Sequence, residues 1–196
     1  MDQKQLKELL LQSLEHEKGG VKVYEAALKC ARNEDLREEW ERYSKETETH
    51  VRILQDVLTG LGLDPNEKST GREIVREMGA SLVKAMEKAR AAGDPAAAQI
   101  VACECVVFAE TKDHLDWQLL GKAAKTLSGP AGEALEQAYK EVEEQEDEHL
   151  YHSKGWCREL WLEALGMPAT LPPPEEKQHV TSAIAAARVE HARTSH

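Results

Sequence analysis

A carboxylate and an imidazole lie three residues apart in the second half of the chain, as Glu146-x-x-His149. On an α-helix this spacing places both side chains on one face, one turn apart. A four-helix bundle can bind two metal ions when two helices each supply a Glu and the other two each supply a Glu-x-x-His pair. The pair therefore predicts one part of a metal site, and the remaining groups must come from elsewhere in the chain.

The first half of the chain resembles the second, and the comparison enlarges the set of candidate groups. Glu17 aligns with Glu110 at an offset of 110 − 17 = 93 residues. Each of these glutamates is followed seven residues later by an aromatic residue, Tyr24 in one case and Trp117 in the other. We therefore expect two copies of one two-helix unit, with a carboxylate on the first helix of each.

The histidines align as well, at a slightly different offset. His50 aligns with His149 at 149 − 50 = 99 residues, and a longer connection in the second half accommodates the 99 − 93 = 6 extra residues. The repeat is imperfect, because Thr47 stands at the position that corresponds to Glu146. Glu46 is the adjacent carboxylate and is the candidate to replace it.

Helical phase places these candidates on the apolar faces of their helices. Glu17 lies in line with Leu14 and Val21, and His50 lies in line with Leu54. A lone buried charge is costly, so carboxylates and imidazoles that converge inside an apolar bundle require bound cations or one another. Oxygen-rich ligation with two imidazoles suits iron or manganese, with zinc as an adventitious substitute.

Other ionisable residues nearby are expected to have supporting roles. Asp113 lies one turn after Glu110 and is the candidate for a spare ligand. His16, His114 and His152 are expected at the surface or behind the ligands.

Apolar periodicity and the positions of Gly and Pro divide the chain into helices. Long helices are predicted at about 4–32, 34–61, 72–92, 95–127 and 132–165. Two helical hairpins joined by a long connection with its own helix predict an all-α, ferritin-like four-helix bundle with one crossover. We assign residues 1–168 to the bundle, with a crossover segment at 65–94, and residues 169–196 to a Pro-rich spacer and a short C-terminal helical tail.

Charge and apolar content restrict the partners. The formal charge of −11 argues against nucleic acid, whose phosphates require clustered Lys and Arg. No apolar run approaches the roughly 20 residues that cross a bilayer, and the N-terminus begins as an amphipathic helix without a signal region. The four Cys contain no Cys-x-x-Cys spacing, so reduced thiols in a cytoplasmic protein are expected.

These motifs resemble those of known metal-binding bundles. Glu17 with Tyr24, and the Glu146-x-x-His149 pair, resemble the diiron helices of rubrerythrin and bacterioferritin. The run at 46–51, in which Glu-Thr is followed by His-Val, is more similar to the YciF-type ferritin-like stress proteins. Glu110, Asp113 and Trp117 resemble the pattern of two acids and an aromatic on the third helix of that family. The resemblance spans about residues 6–165.

Carried over by position, the resemblance implies two iron or manganese ions and a set of six ligands. These ligands are Glu17, Glu46, His50, Glu110, Glu146 and His149. Behind these ligands, we expect Tyr24 and Trp117 to orient the ligands or shield the site, and Asp113 to be the spare ligand. Thr47 departs from the pattern, so a site in which Glu46 does not reach the metal would be asymmetric, hold one metal, or be vestigial.

The leading functional hypothesis is a dimetal carboxylate protein with redox chemistry linked to oxidative stress. Open positions on the two ions would bind oxygen or peroxide, with peroxide reaction or Fe(II) oxidation as the reaction class. The alternative is a non-enzymatic stress or scaffold protein that forms a homodimer and binds metal weakly or not at all. A third hypothesis is a helical module whose groove takes the C-terminal segment of a partner chain.

Overall fold

All the regular elements in the described part of the chain are helices. The computed structural model describes residues 1–177 and residue 185, and its helices are α1 (Gln3–Leu28), α2 (Glu34–Gly60), α3 (Thr70–Ala91), α4 (Pro95–Ala124), α5 (Pro130–Ala164) and α6 (Pro174–Lys177). The all-α class is confirmed, and the largest shift of a helix end is at α1, which ends at Leu28 and not near Arg32. Within these residues, no helix combines the length and the apolar character of a bilayer-spanning segment. The predicted tail helix beyond α6 lies outside the described residues.

Side-chain caps mark the beginnings of four helices, and Asp2 caps α1 by accepting hydrogen bonds from the Lys4 and Gln5 amides. The Asn33 side chain accepts a hydrogen bond from the Leu36 amide at the start of α2. The Ser69 side chain accepts one from the Arg72 amide at the start of α3. Asp94 accepts from two amides in the first turn of α4, where Pro95 needs no hydrogen-bond partner for its nitrogen. These caps satisfy backbone donors that a helix leaves unpaired at its N-terminus.

The helices pack as two hairpins with a crossover. α1 packs against α2, and α4 packs against α5, while α1–α4 and α2–α5 contacts close a four-helix bundle. α3 connects the hairpins and packs against α1 and α4. This arrangement confirms the predicted bundle of two hairpins with one crossover helix.

The crossover helix is held closely against α1. A Cβ atom added to Gly79 would lie 3.6 Å from Cα of Gly19, so the two backbones approach where neither residue has a side chain. Nearby, Glu15 accepts hydrogen bonds of 2.7 Å from Nε of Arg72 and from Nε of Arg76. The carboxylate of α1 thus fixes two consecutive turns of α3.

The core consists of two apolar clusters with an ionisable layer between them. One cluster includes Tyr24 and Tyr43, and the other includes Trp117 and the leucines of the first half of α1. The predicted ligands lie between these aromatic residues. Water is therefore excluded from the layer on both sides.

Candidate metal centre

Five of the six predicted ligands meet in the centre of the bundle. Each of them is at most 3% exposed, and all four bundle helices contribute: Glu17 from α1, His50 from α2, Glu110 from α4, and Glu146 and His149 from α5. Burial of so many ionisable groups in one layer requires partners for their charges.

The five side chains form two groups that could each hold a metal ion. Glu17, His50 and Glu146 form one group, and Glu110, Glu146 and His149 form the other. Within each group the donor atoms lie within 4.8 Å of one another. Glu146 belongs to both groups, so one carboxylate joins the two candidate ion positions.

The Nδ1 atoms of the two imidazoles approach the shared carboxylate. Nδ1 of His50 lies 2.9 Å from Oε1 of Glu146 and 3.5 Å from Oε1 of Glu17. Nδ1 of His149 lies 3.6 Å from Oε1 of Glu146 and 3.6 Å from Oε2 of Glu110. The two rings are stacked, with centroids 5.8 Å apart.

Many side-chain atoms of this layer that could coordinate a metal ion have no hydrogen-bond partner among the described residues. These atoms are Oε2 of Glu17, Nδ1 of His50, Oε2 of Glu110, Oδ1 of Asp113, both oxygens of Glu146 and Nδ1 of His149. The short approach of His50 to Glu146 therefore lacks hydrogen-bond geometry. A buried polar atom left unpaired costs about 1–3 kcal/mol, so this concentration indicates groups that a cation would satisfy.

The two aromatic residues of the repeat cross over between the hairpins. The Tyr24 hydroxyl on α1 donates a 2.8 Å hydrogen bond to Oε1 of Glu110 on α4. Nε1 of Trp117 on α4 donates a 2.7 Å hydrogen bond to Oε1 of Glu17 on α1. Each aromatic residue thus holds one oxygen of the opposite glutamate, and Oε2 of each glutamate has no hydrogen-bond partner among the described residues.

The outer nitrogens of both imidazoles are also held by the opposite hairpin. Nε2 of His50 is 2.7 Å from Oε1 of Gln145, and Nε2 of His149 is 2.7 Å from Oε2 of Glu46. These oxygens only accept, so Nε2 donates in both contacts and Nδ1 is the coordinating nitrogen of the neutral ring. Glu46, predicted as a ligand, instead lies behind His149, and it is absent from both candidate groups in the described chain.

Sequence reasoning missed Gln145, although the repeat contains a signal for it. Glu46 and Gln145 are separated by 145 − 46 = 99 residues, the offset that aligns the two histidines. Both residues therefore hold the Nε2 atom of a histidine at equivalent places. Extension of the alignment by one residue would have paired them.

The two halves differ at the position of Thr47. Its hydroxyl donates to the carbonyl of Tyr43 at 2.9 Å, and its methyl group would lie 3.2 Å from a Cβ atom on Gly20. In the other half the equivalent positions are Glu146 and Asp113, since 20 + 93 = 113. Two carboxylates on one side thus correspond to a hydroxyl and a glycine on the other.

The buried groups hold protons where cations could bind. Burial and the nearby Glu110 and Glu17 raise the pKa of Glu146 to about 7, although His50 and His149 oppose this rise. Burial and the charge of Glu146 raise the pKa of Asp113 well above its usual value. Burial alone would lower the pKa of His149, but the contacts with Glu110 and Glu46 raise it to about 9. The layer is therefore neutralised by protons in the ion-free chain.

Comparison with known proteins gives one match. A family model described as a domain of unknown function, DUF892, matches residues 1–152. This family is known as ferritin-like YciF-type, which agrees with the resemblance seen in the sequence. No curated protein and no solved structure matches the chain.

Proposed function

Because the matched residues 1–152 form most of its length, the chain belongs to the DUF892 family, and we propose that it is a dimetal carboxylate protein. Two iron or manganese ions bind in the central layer, one in each group of three donors that share Glu146. The bound ions undergo redox reactions with a small oxidant, oxygen or peroxide.

The donor set fits two divalent ions in type and in charge. Carboxylate oxygens and one imidazole nitrogen for each ion suit iron and manganese. Glu17, Glu110 and Glu146 carry three negative charges, and Asp113 supplies a fourth when it is ionised. Four negative charges balance two divalent cations, which explains why a fourth buried carboxylate lies beside the three ligands.

The observation that carries the proposal is the set of unpaired donor atoms. Both oxygens of Glu146 and Nδ1 of both histidines lack hydrogen-bond partners in the described residues. The other ring nitrogen of each imidazole, Nε2, is hydrogen-bonded, so the rings are oriented for coordination before any ion binds.

The residues of the chain bind, orient and shield, and the ions supply the redox chemistry. Iron or manganese held by the two groups of donors that share Glu146 would supply single-electron redox chemistry towards a small oxidant. Trp117 and Tyr24 hold the glutamates Glu17 and Glu110 by one oxygen each. The apolar clusters on both sides exclude bulk water, which strengthens the electrostatic attraction between ligands and ions.

Metal content tests the binding part of the proposal. We expect two ions in the central layer, and therefore at least two ions per chain, in protein purified from cells supplied with iron and manganese. His149→Ala and Glu110→Ala should lower this content, because each removes a donor from one group. Glu163→Gln changes an exposed glutamate of α5 and serves as the control. A wild-type content below about 0.2 ions per chain, unchanged in the variants, would contradict the proposal and favour a scaffold protein.

Reaction with an oxidant tests the redox part separately. Protein loaded with Fe(II) under anaerobic conditions is then exposed to peroxide or to a pulse of oxygen, and the oxidation of Fe(II) is followed by absorption. We expect oxidation faster than that of free Fe(II), and slower oxidation in His149→Ala at equal iron content. Binding of two ions without accelerated oxidation would retain the metal site and reject the redox function.

A further inference from the structure

A second cluster of ionisable residues lies outside the central layer, where α2, α5 and α6 meet. It consists of Glu39, His152 and Glu176, whose donor atoms lie within 4.8 Å of one another. Glu39 and His152 are at most 7% exposed. His152, expected from the sequence at the surface or behind the ligands, is instead a core residue of this second cluster.

Glu39 of α2 and His152 of α5 are in direct contact. Nδ1 of His152 lies 3.1 Å from Oε1 of Glu39, and 3.8 Å from Oε2 of Glu176. Nδ1 is thus the nitrogen directed at both carboxylates. Nε2 of the same buried ring has no hydrogen-bond partner in the part of the chain that the structure describes.

Two aromatic residues form hydrogen bonds with the side chains of the cluster. The Tyr43 hydroxyl donates to Oε1 of Glu39 and also lies 2.8 Å from Nδ1 of His152. Nε1 of Trp156 donates to Oε2 of Glu39 at 2.7 Å and contacts Oε1 of Glu176. Such support resembles that of the central layer, where Tyr24 and Trp117 hold the glutamates.

The return of the C-terminal segment completes the cluster. Glu176 lies on α6, and its neighbour Glu175 forms two hydrogen bonds of 2.7 and 2.9 Å with the guanidinium of Arg158 on α5. Upstream, the Thr170 amide donates to Oε2 of Glu159 at 2.8 Å. These contacts dock the segment on α5 and deliver a third donor to a pair that α2 and α5 already form.

We propose that Glu39, His152 and Glu176 form a second, mononuclear site for a divalent transition-metal ion, separate from the central dimetal layer. One imidazole nitrogen with two carboxylates is a donor set that binds iron, manganese, cobalt or zinc. Two carboxylates in one buried cluster repel each other unless a proton or a cation lies between them.

The site is close to the central layer but uses none of its donors. The ring of Tyr43 lies 4.1 Å from the ring of His149, centroid to centroid. His149 and His152 are three residues apart on α5, so one helix presents an imidazole to each site. A test must therefore separate the two sites by variants that change one and leave the other.

Cobalt(II) binding to the full chain provides this test. Equilibrium dialysis and the visible absorption of bound Co²⁺ are measured for the wild type, for Glu146→Gln and for Glu146→Gln with Glu176→Gln. Glu146→Gln removes the carboxylate common to both central groups. We expect about three ions per wild-type chain and about one in Glu146→Gln, held at the second site. Addition of Glu176→Gln should weaken that last ion at least tenfold.

Glutamine has nearly the shape of glutamic acid and can donate a hydrogen bond to Glu39. The fold should therefore survive Glu176→Gln, and circular dichroism would verify this. Glu163→Gln in the same background is the matched control and should leave the binding unchanged. An unaltered ion and spectrum after Glu176→Gln, or no ion in Glu146→Gln, would overturn the second site. One ion in the wild type that Glu146→Gln retains and the double variant loses would support the second site and reject the central one.

Discussion

The two hairpins repeat one another, yet they bring different groups to the same layer. The hairpin of α1 and α2 supplies Glu17 and His50. The hairpin of α4 and α5 supplies Glu110, Glu146 and His149. The supporting contacts are symmetrical, because each hairpin donates one aromatic hydrogen bond and one outer acceptor to the other.

The difference between the halves shows how an asymmetric centre can arise from a symmetrical frame. Thr47 faces Gly20 in one half, where Glu146 and Asp113 stand in the other. Glu146 therefore has to serve both groups of donors. Asp113 lies beside it in place of a symmetrical carboxylate from the first hairpin. The frame, meaning helix positions and supporting contacts, persists although one ligand has changed.

Glu146→Gln should produce the largest effect, because it breaks the centre at the point that both halves share. We expect both central ions to be weakened by more than about 100-fold, beyond the 10–100-fold that the loss of an outer partner costs. Metal content and competitive chelator titration measure this. The matched variant Glu110→Gln should weaken mainly one ion, and equal effects of the two variants would contradict the shared role of Glu146.

Stability of the metal-free chain should fall as the pH rises above about 6.5, because His50 and His149 bind protons more tightly when folded. The pKa of His149 is about 9 in the folded chain against roughly 6.5 when unfolded. Its contribution is complete below pH ~6.5 and is lost towards pH 9, about 3 kcal/mol in total. Glu146, with a pKa of about 7, changes stability in the same direction between pH ~4.5 and 7.

Urea unfolding in the presence of a chelator, at pH values from 5 to 9, measures this dependence. The pKa values of Glu46 and Glu110 are lowered, so their stabilisation is already complete in that range. A flat or rising free energy of unfolding between about pH 6.5 and 9 would show that the histidines are not held as cations.

Substitution of Glu46 or Gln145, which accept from Nε2 of the two histidines, should have the next largest effect. Each substitution would give both histidines the same type of acceptor. Glu46→Gln leaves both rings with an amide acceptor, and Gln145→Glu leaves both with a carboxylate. A carboxylate raises the basicity of the ring it accepts from, so Glu46→Gln should weaken the ion at His149 about 10–100-fold. Gln145→Glu should strengthen the ion at His50. Opposite signs in a Co²⁺ titration would support this view, and loss of both ions in Glu46→Gln would instead make Glu46 a ligand.

Removal of the crossed hydrogen bonds should reduce stability by similar amounts in the two halves. Tyr24→Phe leaves Oε1 of Glu110 without its donor, and Trp117→Phe does the same to Oε1 of Glu17. Each loss of a hydrogen bond to a buried carboxylate should cost roughly 2 kcal/mol. The Trp variant also loses ring volume, so Trp117→Tyr is the additional control. Chemical denaturation of the metal-free chain would contradict the symmetry if only one variant were destabilised.

Thr47→Val should have the smallest effect, because this residue offers nothing to the ions. The Thr47 hydroxyl donates to the carbonyl of its own helix, and the valine keeps the methyl group beside Gly20. We expect metal affinity to change by less than about threefold, which is under 1 kcal/mol. A larger loss, measured in the same titration, would place Thr47 among the groups that act on the ions.

Apolar periodicity was sufficient to predict the bundle, and self-comparison of the sequence identified five of the residues that meet in its central layer. The aligned Glu17 and Glu110 were identified because a repeat preserves the positions at which a fold requires a charge. Glu46 could not be placed, because adjacent helix positions point about 100° apart and only packing decides which one faces inward. In the structure it accepts from Nε2 of His149.

The second cluster could not be predicted in the same way. The repeat positions of Glu39 and His152 are Ala138 and Ile53, which are apolar, so alignment of the halves gives no signal there. The third member, Glu176, comes from a segment with no counterpart in the first hairpin. Its contact with α2 depends on how the chain returns after α5, which no local periodicity encodes.

The four contacts that hold the central ligands all run between the hairpins. Tyr24 and Glu46 reach from the first hairpin to the second, and Trp117 and Gln145 reach back. A slip of one hairpin along the other by a single helical turn, about 5.4 Å, would break all four together. Metal affinity therefore depends on the alignment of the two hairpins. An ion bound with full affinity reports that the hairpins have docked in the correct register.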